Sequence, residues 1–184
     1  MMAALGSAMA LMILLGWIAF ALLGIGFAAP LTVWLGIAFG VLCVVFLRET
    51  TGLRGMVALL APFGIMLPAL ALRHMAGHLG LAFTPFHTGE ILIFLLLYLA
   101  FLAAAMGALP LDIYRLGFAP LPVALMVLAL VAYGAAQGSL FIPALAVLGQ
   151  LIWVLGWGSS NWFDHMLHVA LIPVAIVVLI LRLT

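Results

Sequence analysis

The sequence contains no lysine, and that absence removes the most familiar small polytopic architecture, because a retinal photoreceptor needs a lysine amine for its Schiff base. Its cations are five arginines, Arg48, Arg54, Arg73, Arg115 and Arg182, scattered singly with no basic run. Recognition of nucleic acid or of an anionic membrane surface is thereby excluded as well. Only four acidic residues oppose them, so charged side chains make up 5% of 184 residues. So few charges cannot clothe a soluble domain of this length. Cys43 is the single cysteine and lies in an apolar run. It rules out an intramolecular disulfide, a CxxC redox pair and a thiolate metal cage, and reads as a small buried hydrophobe. No Lys or Arg precedes the first apolar run, which is therefore expected to be a retained first span and not a cleaved signal peptide. Phosphate-binding glycine loops are missing, and Ser139 in QGSLF lacks the GxSxG setting of a serine hydrolase.

What fills the chain is hydrocarbon: 70% of residues are hydrophobic and the mean hydropathy is +1.53, a composition suited to a bilayer. A hydrocarbon core about 30 Å thick takes roughly 17 to 25 apolar helical residues per crossing. On that basis the sequence predicts an all-α polytopic transmembrane bundle of about seven spans forming one integral membrane domain over residues 1–184. The expected spans are Ala8–Ala28, Pro30–Leu47, Gly55–Leu72, Glu90–Ala108, Ala119–Ala136, Ser139–Trp157 and Trp162–Arg182. Every charge then falls at or between span ends, as the cost of a charge at the bilayer centre requires. Gly36/Gly40 and Gly134/Gly138 offer small-xxx-small faces for close helix packing. Pro62 and Pro68 should kink the third span, and Trp153, Trp157 and Trp162 read as interfacial aromatics. Arg48, Arg54 and Arg115 outvote Arg73 and Arg182, which favours a bacterial-type inner membrane protein with its N-terminus inside.

Two polar clusters interrupt the apolar sequence. In the first, RHMAGHLGLAFTPFHTGE, His74 and His78 are one helical turn apart on one face, with His87 and Glu90 following. Imidazoles with a carboxylate suit zinc, iron, copper or nickel, although Met75 stands where the HExxH pattern has its glutamate. Haem held by His74 or His78 together with His87 is the lesser expectation. The plainer alternative is a set of polar residues solvating a helix end. In the second cluster, NWFDHMLH, Asp164 and His168 share a helix face, His165 and His168 are neighbours, and Asn161 should cap the helix. A carboxylate beside an imidazole can fix a tautomer, support a metal ligand or shuttle a proton, and His168 would lie about 10 Å into the last span. The same pair could merely stitch helices together. With three crossings between them, the clusters should face opposite membrane surfaces, about 20 Å apart along the normal. Elsewhere, Asp112 and Arg115 are expected to form an exposed ion pair, and Arg48, Glu49 and Arg54 an interfacial charge group.

Seven spans with several histidines and an aspartate superficially resemble the alkaline ceramidase and adiponectin-receptor superfamily. That resemblance would imply a zinc-dependent lipid hydrolase whose metal is held by an early serine and histidine, an aspartate and a last-span HxxxH. Here the last span carries His165-xx-His168, and the second and third spans contain no serine, which departs from the pattern. The Asp164-His165 pair is also similar to a motif of small nickel-handling membrane proteins, where it comes early in the chain behind glycine and histidine. The functional expectation drawn from the residues is transition-metal or proton handling by the two clusters, in transport or in assembly of a membrane complex. An intramembrane zinc hydrolase is the second expectation, and a non-catalytic subunit of a respiratory or photosynthetic assembly the third. The expected partners are the lipid bilayer and either a second copy or a membrane-complex subunit.

Overall fold

The computed structural model describes residues 2–60 and 64–183, and every regular element among them is helical. Contacts group the chain into two compact units, 1–83 and 84–184.

The first unit is built on an antiparallel hairpin of α1 (Met2–Leu23) and α2 (Ala29–Leu47). Glycine sets its spacing. A Cβ on Gly40 would stand 2.1 Å from the Met12 carbonyl oxygen, and one on Gly36 would stand 2.5 Å from that of Gly16. The two backbones therefore touch along a seam that no larger residue can occupy, as the Gly36/Gly40 pattern predicts. Beyond it follow α3 (Thr51–Leu60) and α4 (Met66–His78), with α4 laid against α1 and α2. Met75 of α4 is buried with Phe20 of α1 and Val33 of α2, and Trp17 packs on that cluster. Glu49 pairs with Arg48 at 3.3 Å and with Arg54 at 3.7 Å, the expected charge group at an exposed turn.

The second unit contains α5 (Thr88–Ala105), a 3-10 turn (Tyr114–Phe118), α6 (Pro120–Ala136), α7 (Phe141–Val154), α8 (Trp162–Met166) and α9 (Leu171–Leu183). α5 packs on α9, α6 on α7, and α7 on α8. Val123, Ala146, Met166 and Leu171 are its most deeply buried apolar residues. Gly134 admits Pro143 of α7 so closely that a Cβ would lie 2.3 Å from the proline ring, whereas Gly138 adopts φ +62° in the turn after α6. Only the first of that predicted glycine pair is a packing residue.

Among the described residues, three helices are long and apolar enough to cross a membrane: Leu5–Leu23 within α1, α2, and α5. Their outward faces carry Trp34, Phe39, Phe46, Leu92, Leu96 and Leu97, apolar side chains that a bilayer would cover. The expected count of about seven is not reached. α6, α7 and α9 are apolar but shorter, at 17, 14 and 13 residues. The reason lies in the backbone, because hydropathy sums over a window and is blind to where the helical ladder stops. Pro30, Pro68, Pro120, Pro122, Pro143 and Pro173 all occupy first turns, where an N–H has no helical acceptor to lose. Pro68 thus begins α4 instead of kinking a longer helix, and the kink expected at Pro62 lies outside the described residues. Pro173 begins α9, which leaves the predicted last span broken between Met166 and Leu171. Trp162, expected at the interface, is instead 4% exposed.

Candidate functional site

The site with most internal organisation surrounds that break. Asn161 caps α8: its side-chain oxygen accepts from the Phe163 backbone N–H at 2.9 Å, as the sequence predicts. Its Nδ2 donates to the Tyr114 carbonyl at 2.8 Å and so ties α8 to the 3-10 turn. Gly117 makes this possible, since a Cβ there would stand 2.0 Å from the Asn161 side-chain oxygen. Fully buried, Asn161 is the pin on which two segments are mounted.

Asp164 sits in the first turn of α8 as a half-buried acceptor. The Tyr114 hydroxyl donates to both of its oxygens, at 3.0 and 2.9 Å, and the Ser159 hydroxyl donates to Oδ2 at 2.6 Å. Ser159 in turn accepts from the Asn161 backbone N–H at 3.0 Å. Burial, followed by the hydrogen bond to Asp164, pushes the Tyr114 phenol up to about 12. The hydroxyl is thus held as a donor across the physiological range. His165 Nε2 lies 2.8 Å from the Ser159 carbonyl oxygen, and because a carbonyl only accepts, that nitrogen carries the proton. The ring packs against Gly158, whose φ of +118° turns the loop beneath it. His168 falls in the break itself, buried, and its Nδ1 accepts from the Ala170 N–H at 3.1 Å. Asp164, His165 and His168 are therefore gathered around one non-helical stretch. Phe101 and Phe163 pack beside them with ring centres 4.7 Å apart.

The residues of the first predicted cluster divide between the two units. His74 and His78 belong to the first, with ring centres 5.0 Å apart and each in edge contact with Phe20. The Trp17 indole donates to His74 Nδ1 at 2.9 Å, and as an indole can only donate, a proton on the neutral His74 ring sits on Nε2. Binding a metal through Nε2 would require that proton to leave or to displace Trp17. His87 and Glu90 belong to the second unit and start α5. There Glu90 accepts from the His87 backbone N–H and from the Tyr133 hydroxyl of α6. Arg182 of α9 reaches the same end, donating to the Phe86 carbonyl at 2.8 Å and facing Thr88 Oγ1 at 3.3 Å. Glu90 thus serves as a helix cap and cross-link.

Within the second unit the two carboxylates lie at opposite ends of α5. Glu90 is in its first turn, while Tyr114 of the Asp164 network packs on Phe101, about 16 Å further along by the helical rise. Among the described residues no three His, Cys, Asp or Glu side chains converge as a ligand set. Asp112, expected to pair with the Arg115 guanidinium, accepts instead from the Arg115 backbone N–H at 3.2 Å, because the 3-10 turn presents that donor first. Sequence inspection missed Tyr114 and Ser159, the two hydroxyls that define the Asp164 site. The SSN run ahead of α8 was the available signal for Ser159, whereas Tyr114 lies 50 residues away and leaves none. No family model matches this chain, and no curated protein or solved structure shows significant similarity to it. Fold and site together describe a helical protein with, among the described residues, three membrane-compatible helices and an interrupted last helix.

Proposed function

We propose that this is an integral membrane protein of the bacterial inner membrane type that handles protons at Asp164 in the service of transport. The observation that carries the proposal is the interruption of the last apolar helix beside a carboxylate held by two hydroxyls, with two buried histidines alongside. Irregular backbone at membrane depth is tolerated where it is buried or lines a site, and interrupted helices carrying ionisable residues characterise ion and proton pathways. Ser159, Asp164 and Tyr114 form a continuous run of groups able to pass a proton. In this reading α6, α7 and α9 complete the crossings begun by α1, α2 and α5, and α3 and α4 share one, giving seven. Arg48, Arg54 and Arg115 then face the cytoplasm, with the N-terminus inside.

The test is proton flux into liposomes containing the full chain, driven by a potassium diffusion potential and read by an internal pH dye. Flux should fall at least tenfold in Asp164→Asn and persist in Asp112→Asn, whose carboxylate lies outside the network. Equal flux in both variants would overturn the proposal. A transition metal bound by the His74–His78 pair is the second reading, favoured by the 5.0 Å separation of the two rings. Elemental analysis finding stoichiometric metal that disappears in the His74→Ala/His78→Ala double variant would replace proton handling with it.

A further inference from the structure

An open groove of about 600 Å³ borders the Asp164 network, lined by Pro120, Trp153, Val154, Gly158, Ser159 and Ser160. Its walls differ in chemistry. Pro120 and Val154 are apolar, and the Trp153 indole is fixed in place because its N–H donates to the Ser160 carbonyl at 2.8 Å. With the N–H so engaged, what the indole retains for a ligand is its π-face, which attracts cations. Ser159 contributes a hydroxyl whose oxygen stands 2.6 Å from Asp164 Oδ2, so the carboxylate lies one hydroxyl behind the groove.

Within the second unit neither arginine guanidinium is paired with that carboxylate. Of the two arginines in the second unit, Arg182 is bonded at the far end of α5, and Arg115 offers the Asp112 carboxylate its backbone N–H. His165 directs its protonated nitrogen at the Ser159 carbonyl, away from Asp164. Hydroxyl donors satisfy the lone pairs of Asp164 but leave its charge in place, and a half-buried charge in an apolar setting gains most from a cation brought to it. An anion would be repelled by that charge. A bare inorganic ion would find a groove many times its own volume and few uncommitted oxygens to replace its water.

We propose that this groove binds a small organic cation of the alkylammonium or quaternary ammonium class, with its charge directed at Asp164 through Ser159 and its methyl groups against Trp153. The proposal names the substrate class for the site assigned above and shares Asp164 with that assignment, but it concerns binding and not flux. One ammonium group can arrive on a free solute or on a lipid headgroup.

The experiment is calorimetric titration of the detergent-purified full chain with tetramethylammonium chloride, using potassium chloride as the ionic control. Saturable binding is expected, weakened at least tenfold in Asp164→Asn and in Trp153→Leu, and partly restored in Trp153→Phe. Trp153 lies outside the Tyr114–Asp164 network, so its variants test the groove even if Asp164→Asn fails to fold, which a melting curve would reveal. Absence of saturable binding, equal binding by both Asp164→Asn and Trp153→Leu, or equal competition by potassium would each overturn the proposal. Repeating the titration in nanodiscs of phosphatidylcholine and of phosphatidylglycerol separates the two sources. Loss of the binding signal in the choline lipid alone assigns the groove to a headgroup, and binding retained in both assigns it to a free solute. Binding without Asp164-dependent flux would remove the proton assignment and leave this one standing, and flux without binding would do the reverse.

Discussion

Replacing Gly40 with alanine adds a single methyl group at the tightest point of the α1–α2 seam. That methyl would sit 2.1 Å from the Met12 carbonyl oxygen, 3.0 Å from Gly16 N and 3.2 Å from Gly16 Cα, all of them backbone atoms of α1. No rotamer change can relieve such a clash, so the two helices must part by about 1 Å at this level to restore an ordinary contact of about 3.3 Å. Parting them weakens the neighbouring contacts across the seam, including those at Gly36 and Gly16. Overpacking of this kind costs roughly 1 to 3 kcal/mol. It outweighs the gain of about 0.5 to 1 kcal/mol that alanine brings to a helix interior. Gly6, in the partner helix α1, has nothing within 4 Å of an added Cβ and provides the internal control. Thermal unfolding in detergent followed by circular dichroism should show Gly40→Ala melting below the parent and Gly6→Ala at or above it. If Gly40→Ala melted as high as Gly6→Ala, the backbone seam would not hold the hairpin together and the account given for the first unit would fail.

Two further outcomes follow from the packing and the hydrogen bonds. Gly117→Ala should displace the Asn161 side chain, because its methyl would lie 2.0 Å from the Asn161 oxygen, and loss of the cap and of the tie to Tyr114 should lower stability by roughly 1 to 3 kcal/mol. Chemical denaturation would measure it, and a neutral result would mean that Asn161 does not pin α8. Acidification should loosen the first unit, since the Trp17–His74 bond needs an unprotonated Nδ1 and protonation of the ring removes that acceptor. Melting temperatures between pH 8 and pH 5 should therefore drop more steeply in the parent than in Trp17→Phe, and parallel curves would refute the assignment.

The helical class and the outward apolar faces of α1, α2 and α5 were legible in the sequence, because lipid-suited helices announce themselves by composition over a long enough window. The glycine seam was legible too, since Gly36 and Gly40 lie one turn apart. The number of membrane-length helices was not, because hydropathy does not register hydrogen-bond continuity. Pro173, five residues after His168, was the cue that a new helix starts where one long span seemed to run. At the site, Asn161 and Asp164 were readable from their place before and within a first turn. Their partners were not, because Tyr114 reaches Asp164 across 50 residues and Trp17 reaches His74 across 57. Glu90 looked like a ligand because it stood near histidines. Its spacing from His87 was equally that of a residue reaching back to a helix start, and the backbone N–H won.

In the proposed membrane reading, the break before α9 also bears on how the chain inserts. α9 has 13 residues and rises about 20 Å, well short of a hydrocarbon core about 30 Å thick, and α8 contributes one short turn before the chain leaves the helical path. A segment of that length leaves the insertion machinery with polar backbone at one end and Arg182 at the other, a poor candidate for partitioning on its own. α5 is long enough to enter first and supplies the apolar face on which α9 packs, and the Phe86 carbonyl just ahead of α5 receives Arg182. In the proposed membrane reading the interrupted helix is therefore the piece that depends on a neighbouring helix for its seat.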